Sequence, residues 1–144
     1  MPLAPALSAF CDLLRAGTGV EVGLGGPGEG RPGLCVWPLR LQENAASRSM
    51  APRPNPDGTL TRPEPALEVL VLILPPLALS VEGLASLDAA RRILHEQPIL
   101  EVGGRRISLL LTHLSLEELS AAFSTAARPL SPCLCVTLRI PGQA

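Results

Sequence analysis

The chain contains no lysine and no tyrosine, only two phenylalanines, one tryptophan and two histidines. Each scarcity removes a class of function. With so few aromatic rings, a site built on base stacking or on an aromatic cage has nothing to be made from. All twelve basic residues are arginines, and they are interspersed with thirteen acids to a formal charge of -1, so there is no basic stripe of the kind nucleic acid attracts. With arginine alone serving as the base amid abundant Ala, Gly and Pro, the composition reflects codon bias more than any demand for guanidinium chemistry.

Long apolar runs are missing too. The longest, 69–79, is broken by Pro75-Pro76 and falls well short of the roughly 20 residues a membrane helix requires. Met1-Pro2-Leu3-Ala4-Pro5 lacks the charged start and apolar centre of a secretory signal, so the chain is expected to be cytosolic when made. Four cysteines are present, and only Cys133 and Cys135 are close. Cys-x-Cys in a strand puts both thiols on one face, whereas zinc knuckles use Cys-x-x-Cys in turns. Reduced core thiols are expected, with no metal and no cofactor.

Catalytic signatures are equally sparse. The cluster Gly25-Gly26-Pro27-Gly28-Glu29-Gly30 lacks a Gly-Lys-Ser/Thr ending and a following helix pattern, so it is read as a turn rather than a phosphate loop. His95 stands near a helix end and His113 ahead of a helix start, positions explained by the helix dipole and by loop hydrogen bonding. No serine sits in a Gly-x-Ser-x-Gly turn. No catalytic residue is assigned, and the chain is expected not to be an enzyme.

What is present is a regular alternation of elements in a chain whose 144 residues suit one domain spanning 1–144. Leu3, Leu7, Phe10 and Leu14 recur at helical spacing up to Gly17, and Val20, Val22 and Leu24 alternate as a short strand. Residues 34–41 read as a strand with Cys35, Trp37, Leu39 and Leu41 on one face, where Pro38 favours an edge position or a bulge. A proline-rich loop follows over about 45–64, longer than ordinary connections. Residues 67–74 lack alternation and carry one charge, Glu68, as a central strand covered on both sides would.

Residues 80–96 form a helix pattern burying Leu84, Leu87, Ala90 and Leu94 and stopping at Pro98. A hairpin is expected about Gly103-Gly104. Ser115 and Glu118 make a capping box for a helix with Leu116, Leu119, Phe123 and Ala126 on its buried stripe, and residues 133–140 alternate as a closing strand. The order αββ, loop, β, α, ββ, α, β implies an α/β (α+β) domain, a mixed β-sheet flanked by about three helices.

One polar cluster stands out: Arg40, Glu43, Asn44 and Arg48, following an edge-like strand and leading into the long loop. It has a plain reading as a solvated turn, with Asn44 capping the chain, Arg48 pairing with Glu43 and Arg40 blunting an exposed strand edge. Its other reading is an interface.

The order of these motifs resembles the cap, or tail-terminator, proteins of contractile injection systems over nearly the whole chain. The resemblance runs through the leucine-rich first helix and the strand and proline turn of residues 20–27. It continues in Trp37-Pro38-Leu39-Arg40, Glu43-Asn44 and Arg48, in Pro65-Ala66-Leu67, and in the helix leading to Pro98-Ile99-Leu100. It ends on Leu114-Ser115-Leu116-Glu117-Glu118-Leu119, then Pro129, Ser131 and Val136. Departures are Pro38-Leu39 where an aromatic usually precedes the first arginine, Ser49 in place of an asparagine, and the missing tyrosines.

The resemblance implies a tail-terminator-like fold and a hexameric ring on the end of the inner tube. Such a ring would touch the last sheath layer, stop polymerisation and fix particle length. The partners would be the chain itself and the tube and sheath proteins, with no nucleic acid and no membrane. Assembly would take place in the bacterial cytoplasm and the product would be part of the particle. On this reading Arg40, Glu43, Asn44 and Arg48, together with the loop 45–64, are subunit, tube or sheath contacts. An assembly chaperone or scaffold, or a small ligand-binding domain, are the alternatives.

Overall fold

A computed structural model describes residues 3–26, 32–44, 51–76 and 78–142. Its elements are α1 (Leu3–Thr18), β1 (Val22–Leu24), β2 (Leu34–Glu43), β3 (Arg53–Pro54), β4 (Leu60–Thr61), β5 (Leu67–Leu74), α2 (Val81–Glu96), β6 (Ile99–Val102), β7 (Arg105–Leu111), α3 (Leu116–Thr125) and β8 (Leu134–Ile140). Six strands form one mixed sheet in the order β1-β2-β5-β8-β7-β6, parallel only between β1 and β2. This is the expected α+β arrangement of a mixed sheet and three helices.

The sheet has two unlike faces. On one, α1 and α2 pack against each other and over the strands, enclosing Phe10, Leu14, Val36, Val71, Ile73, Val136 and Leu138. On the other, the short α3 covers one end only, where Phe123 and Leu119 meet Leu72, Leu74, Cys135 and Trp37. Trp37 and Phe123 stack edge to face at 6.4 Å and 70°, so two of the three aromatic rings are spent on this smaller cluster. Every residue of β5 from Val69 to Leu74 is buried, which explains why this strand shows no alternation: both its faces are inside.

Local chemistry fixes the ends of the elements. Ser80 caps α2 by accepting from the Gly83 N–H, and Gln97 closes it just before Pro98. Ser115 and Glu118 form the expected reciprocal box at the start of α3. Gly103 and Gly104, with φ of +56° and +78°, supply the two left-handed positions of a two-residue hairpin loop.

Four expectations are corrected. Leu41 does not share a face with Trp37, because a bulge between Pro38 and Arg40 inserts one residue and inverts the alternation beyond it. Leu84 is 41% exposed and Leu116 is 70% exposed; Gly83 and Ile93 take the buried positions in α2, and Phe123 alone is fully buried in α3. α3 covers so little of the sheet that its stripe narrows to the one ring that reaches the second cluster. Finally, the proline-rich segment is not all loop. Arg53–Pro54 pairs with Leu60–Thr61 around a turn in which Asp57 accepts from the Thr59 N–H and hydroxyl, and Asn55 Nδ2 donates to Thr59 and Thr61.

Candidate functional site

The polar cluster singled out in the sequence begins where β2 passes its bulge. Trp37 pairs with Leu72 and Pro38 with Val71, and after the extra residue Arg40 pairs with Leu70, Leu41 with Val69, Gln42 with Glu68 and Glu43 with Leu67. Arg40 and Gln42 therefore lie on the α3 face, and Leu41 and Glu43 on the α1/α2 face. The cluster is split between the two sides of one sheet corner, and Arg48 lies outside the described residues.

Asn44 turns back onto the sheet. Its N–H donates to the Ala66 carbonyl at 2.8 Å, and its Nδ2 donates to Glu68 Oε1 at 3.0 Å. Gln42 Nε2 donates to Glu68 Oε2 at 3.3 Å, and Arg139 on β8 approaches Oε1 at 3.3 Å. These hydrogen bonds, Asn44's foremost, together with the Arg139 charge, hold the Glu68 carboxyl below the usual glutamate range. Glu68 thus ties together the end of β2, β5 and β8 in a polar row across the uncovered half of the α3 face, which runs on to Ser108 of β7. Sequence reasoning did not place Gln42, Glu68 or Arg139 in this group. The available signal was Glu68 itself, the single charge in an otherwise apolar strand.

Arg40 behaves differently. Its side chain is exposed and makes no hydrogen bond or ion pair among the described residues. On the opposite face, Leu41 and Glu43 line a shallow cleft of about 440 Å³ with Glu64, Pro65, Leu67 and Arg105, whose guanidinium donates to the Pro141 carbonyl at 3.2 Å. This cleft is lined largely by carbon, and among the described residues no buried side-chain nitrogen or oxygen is left without a hydrogen-bond partner.

The cysteines and histidines take no part in this corner. Cys11 and Cys135 are buried, Cys35 and Cys133 half-buried, and none of the four is in a disulfide. Burial, with Cys135 next to it, pushes the Cys133 thiol up to about 12, far from a reactive thiolate. Among the described residues no three His, Cys, Asp or Glu side chains gather as a metal would require, and no helix is long and apolar enough to cross a membrane.

Residues 4–142 match the family described as the Pvc16 N-terminal domain. No curated protein matches the chain. Among solved structures, the fold is similar to the sheath/tube terminator of PVC, an extracellular contractile injection system, seen by cryo-EM in its extended state. The TM-score is 0.72 at 13% sequence identity, covering 98% of this chain and 56% of that one. The chain therefore spans little more than half the length of that terminator.

Proposed function

This chain belongs to the Pvc16 N-terminal domain family, and on that footing we propose that it is a structural cap of a contractile injection system. A ring of its copies, hexameric by the resemblance, sits on the end of the inner tube, touches the last sheath layer and stops both from growing. It assembles in the bacterial cytoplasm as part of the injection particle, and its work is done by surfaces without catalysis.

The observation that carries this reading is the match of fold over 98% of the chain to a protein that terminates sheath and tube. A terminator must fit the tube end with one surface and offer no equivalent surface to a further ring, and a ring lets weak contacts act together. The split corner at the end of β2 suits such a role. Arg40 faces outward on one side, Leu41 and Glu43 on the other, and Asn44 anchors the strand end to Glu68. Arg40, Glu43 and Arg48, with residues 45–64, are assigned to subunit, tube and sheath contacts, and Asn44 to holding that corner in shape.

Electron microscopy of particles from cells lacking this chain, beside cells in which it is restored, tests the reading. Overlong or variable tubes with open ends are expected without it. Particles of normal length with normal ends would overturn it.

A further inference from the structure

Among the described residues the sheet has two edges open to a further strand, and they match. β6 pairs with β7 on one side only, and β2 pairs with β1 only at residues 34–36, leaving the outer side of 37–42 without a strand among the described residues. An unpaired strand is a template for another strand. Pro38 and the bulge remove part of the β2 edge, so what remains straight begins at Arg40.

Direction decides what can join these edges. Four successive antiparallel pairings separate β2 from β6, so the two strands run the same way. If β6 of one copy met β2 of the next in antiparallel fashion, neighbours would be related by a two-fold screw with their faces exchanged, and the series would grow into a fibre. Only parallel pairing keeps the same face on the same side in every copy and allows a rotation that closes. Closure thus requires like faces to align.

With like faces aligned, the side chains are complementary. Glu101 pairs with Arg106 and lies on the α3 face, as Arg40 does; Val102 lies on the α1/α2 face, as Leu41 does. A parallel register that sets Glu101 beside Arg40 also sets Val102 beside Leu41. Both charges are exposed and neither has an ion-pair partner among the described residues, while Leu41 is 49% exposed. Opposite charges and apolar side chains adjacent across a strand pair are the stabilising combinations.

We propose that the ring closes through parallel addition of β6 of one copy to the β2 edge of the next, with Glu101 beside Arg40. This contact rests on the ring reading above and gives it an address. It is heterologous, head to tail, and each copy contributes both edges.

Cysteine pairs test it directly. Neighbouring strands lie about 4.8 Å apart, within the roughly 4.4–6.8 Å that a disulfide spans between Cα atoms. A chain carrying both Arg40→Cys and Glu101→Cys, oxidised in purified particles, is expected to run on a non-reducing gel as a ladder ending at one largest species. Either change alone, on the background of the native cysteines, should give no ladder. As a second measurement, Arg40→Glu or Glu101→Arg should each lower ring occupancy by about tenfold, through like charges set side by side, and the double exchange should restore it. Folding of each variant is checked by its circular dichroism.

Absence of a ladder, or failure of the double exchange to restore occupancy, overturns the edge contact. Particle length in the same preparations is scored separately. Deletion that leaves length unchanged while the ladder forms removes the terminator reading and leaves the contact standing.

Discussion

Asn44 and Glu68, 24 residues apart in sequence, are joined by a 3.0 Å hydrogen bond from Asn44 Nδ2 to Glu68 Oε1. The bond closes the corner where β2 ends and residues 45–64 depart. It holds the residue just past that strand against β5, and Arg139 extends the tie to β8. The charge that an apolar strand would ordinarily avoid is here the hub of three strands.

Glu68→Gln should destabilise the fold in a pH-dependent way. The folded-state carboxyl is held below the ordinary value of 4.5 by hydrogen bonds from Asn44 and then Gln42, with help from Arg139. A group whose pKa is depressed on folding contributes stability that is fully present above its unfolded value and lost as pH falls through the folded one. The wild-type melting temperature should exceed that of the variant at pH 7, and the gap should begin to close below about pH 4.5. An unchanging gap from pH 7 to pH 3 would show that the carboxylate's charge contributes nothing.

Arg128→Met should lower stability by about 1–3 kcal/mol, the cost of leaving a buried acceptor unmet. Arg128 is the one buried charged residue among those described, 8% exposed, and its Nη2 donates to the Pro75 carbonyl at 2.7 Å just beyond β5. Methionine keeps much of the apolar stem but supplies no donor. Urea unfolding of the two proteins measures the difference; equal midpoints would mean that water serves Pro75 as well as the guanidinium does.

Much of this fold was legible in the sequence because it follows from local chemistry. The capping box at Ser115 and Glu118, the Gly103-Gly104 hairpin and the unalternating β5 each depend on neighbours in the chain or on total burial. What failed depends on distant partners. Leu84 and Leu116 have the right spacing for burial, yet both stay exposed, and only the sheet's layout decides that. Pro38 favours an edge position or a bulge, but the consequence of the bulge, sending Leu41 and Glu43 to the face opposite Trp37, depends on the register with β5. For the same reason the cluster Arg40, Glu43 and Asn44 was visible as a cluster and not as a divided one. Its anchor, Glu68, lies in another strand.

Gly33→Ala should cost several times what an ordinary surface change does, on the order of 2–3 kcal/mol. Gly33 has φ of +83°, and a Cβ there would run into the carbonyl oxygen of Glu21, which accepts from the Leu34 N–H at the start of the β1–β2 pair. Both the left-handed backbone and the close approach demand glycine. Thermal unfolding reads the loss; a change below about 0.5 kcal/mol, typical of tolerated surface positions, would mean that β1 moves aside without penalty.

Ala127→Gly should do the reverse and stabilise the protein. α3 ends in a reciprocal pair of bonds, Arg128 N–H to the Phe123 carbonyl and Ala127 N–H to the Ser124 carbonyl, each at 3.0 Å. That pattern puts the first residue past the helix cap in the left-handed region, where glycine is the usual occupant. Here alanine stands at φ of 52°, the sole non-glycine residue with positive φ among those described. The left-handed conformation costs a residue with a Cβ about 1–2 kcal/mol. Glycine removes that penalty but gives back roughly 0.5–1 kcal/mol through the greater freedom of the unfolded chain. The balance is a gain of about 0.5–1 kcal/mol, visible as a raised urea midpoint with unchanged slope. A loss instead would mean that packing of the alanine methyl group, and not the two hydrogen bonds alone, holds the helix end.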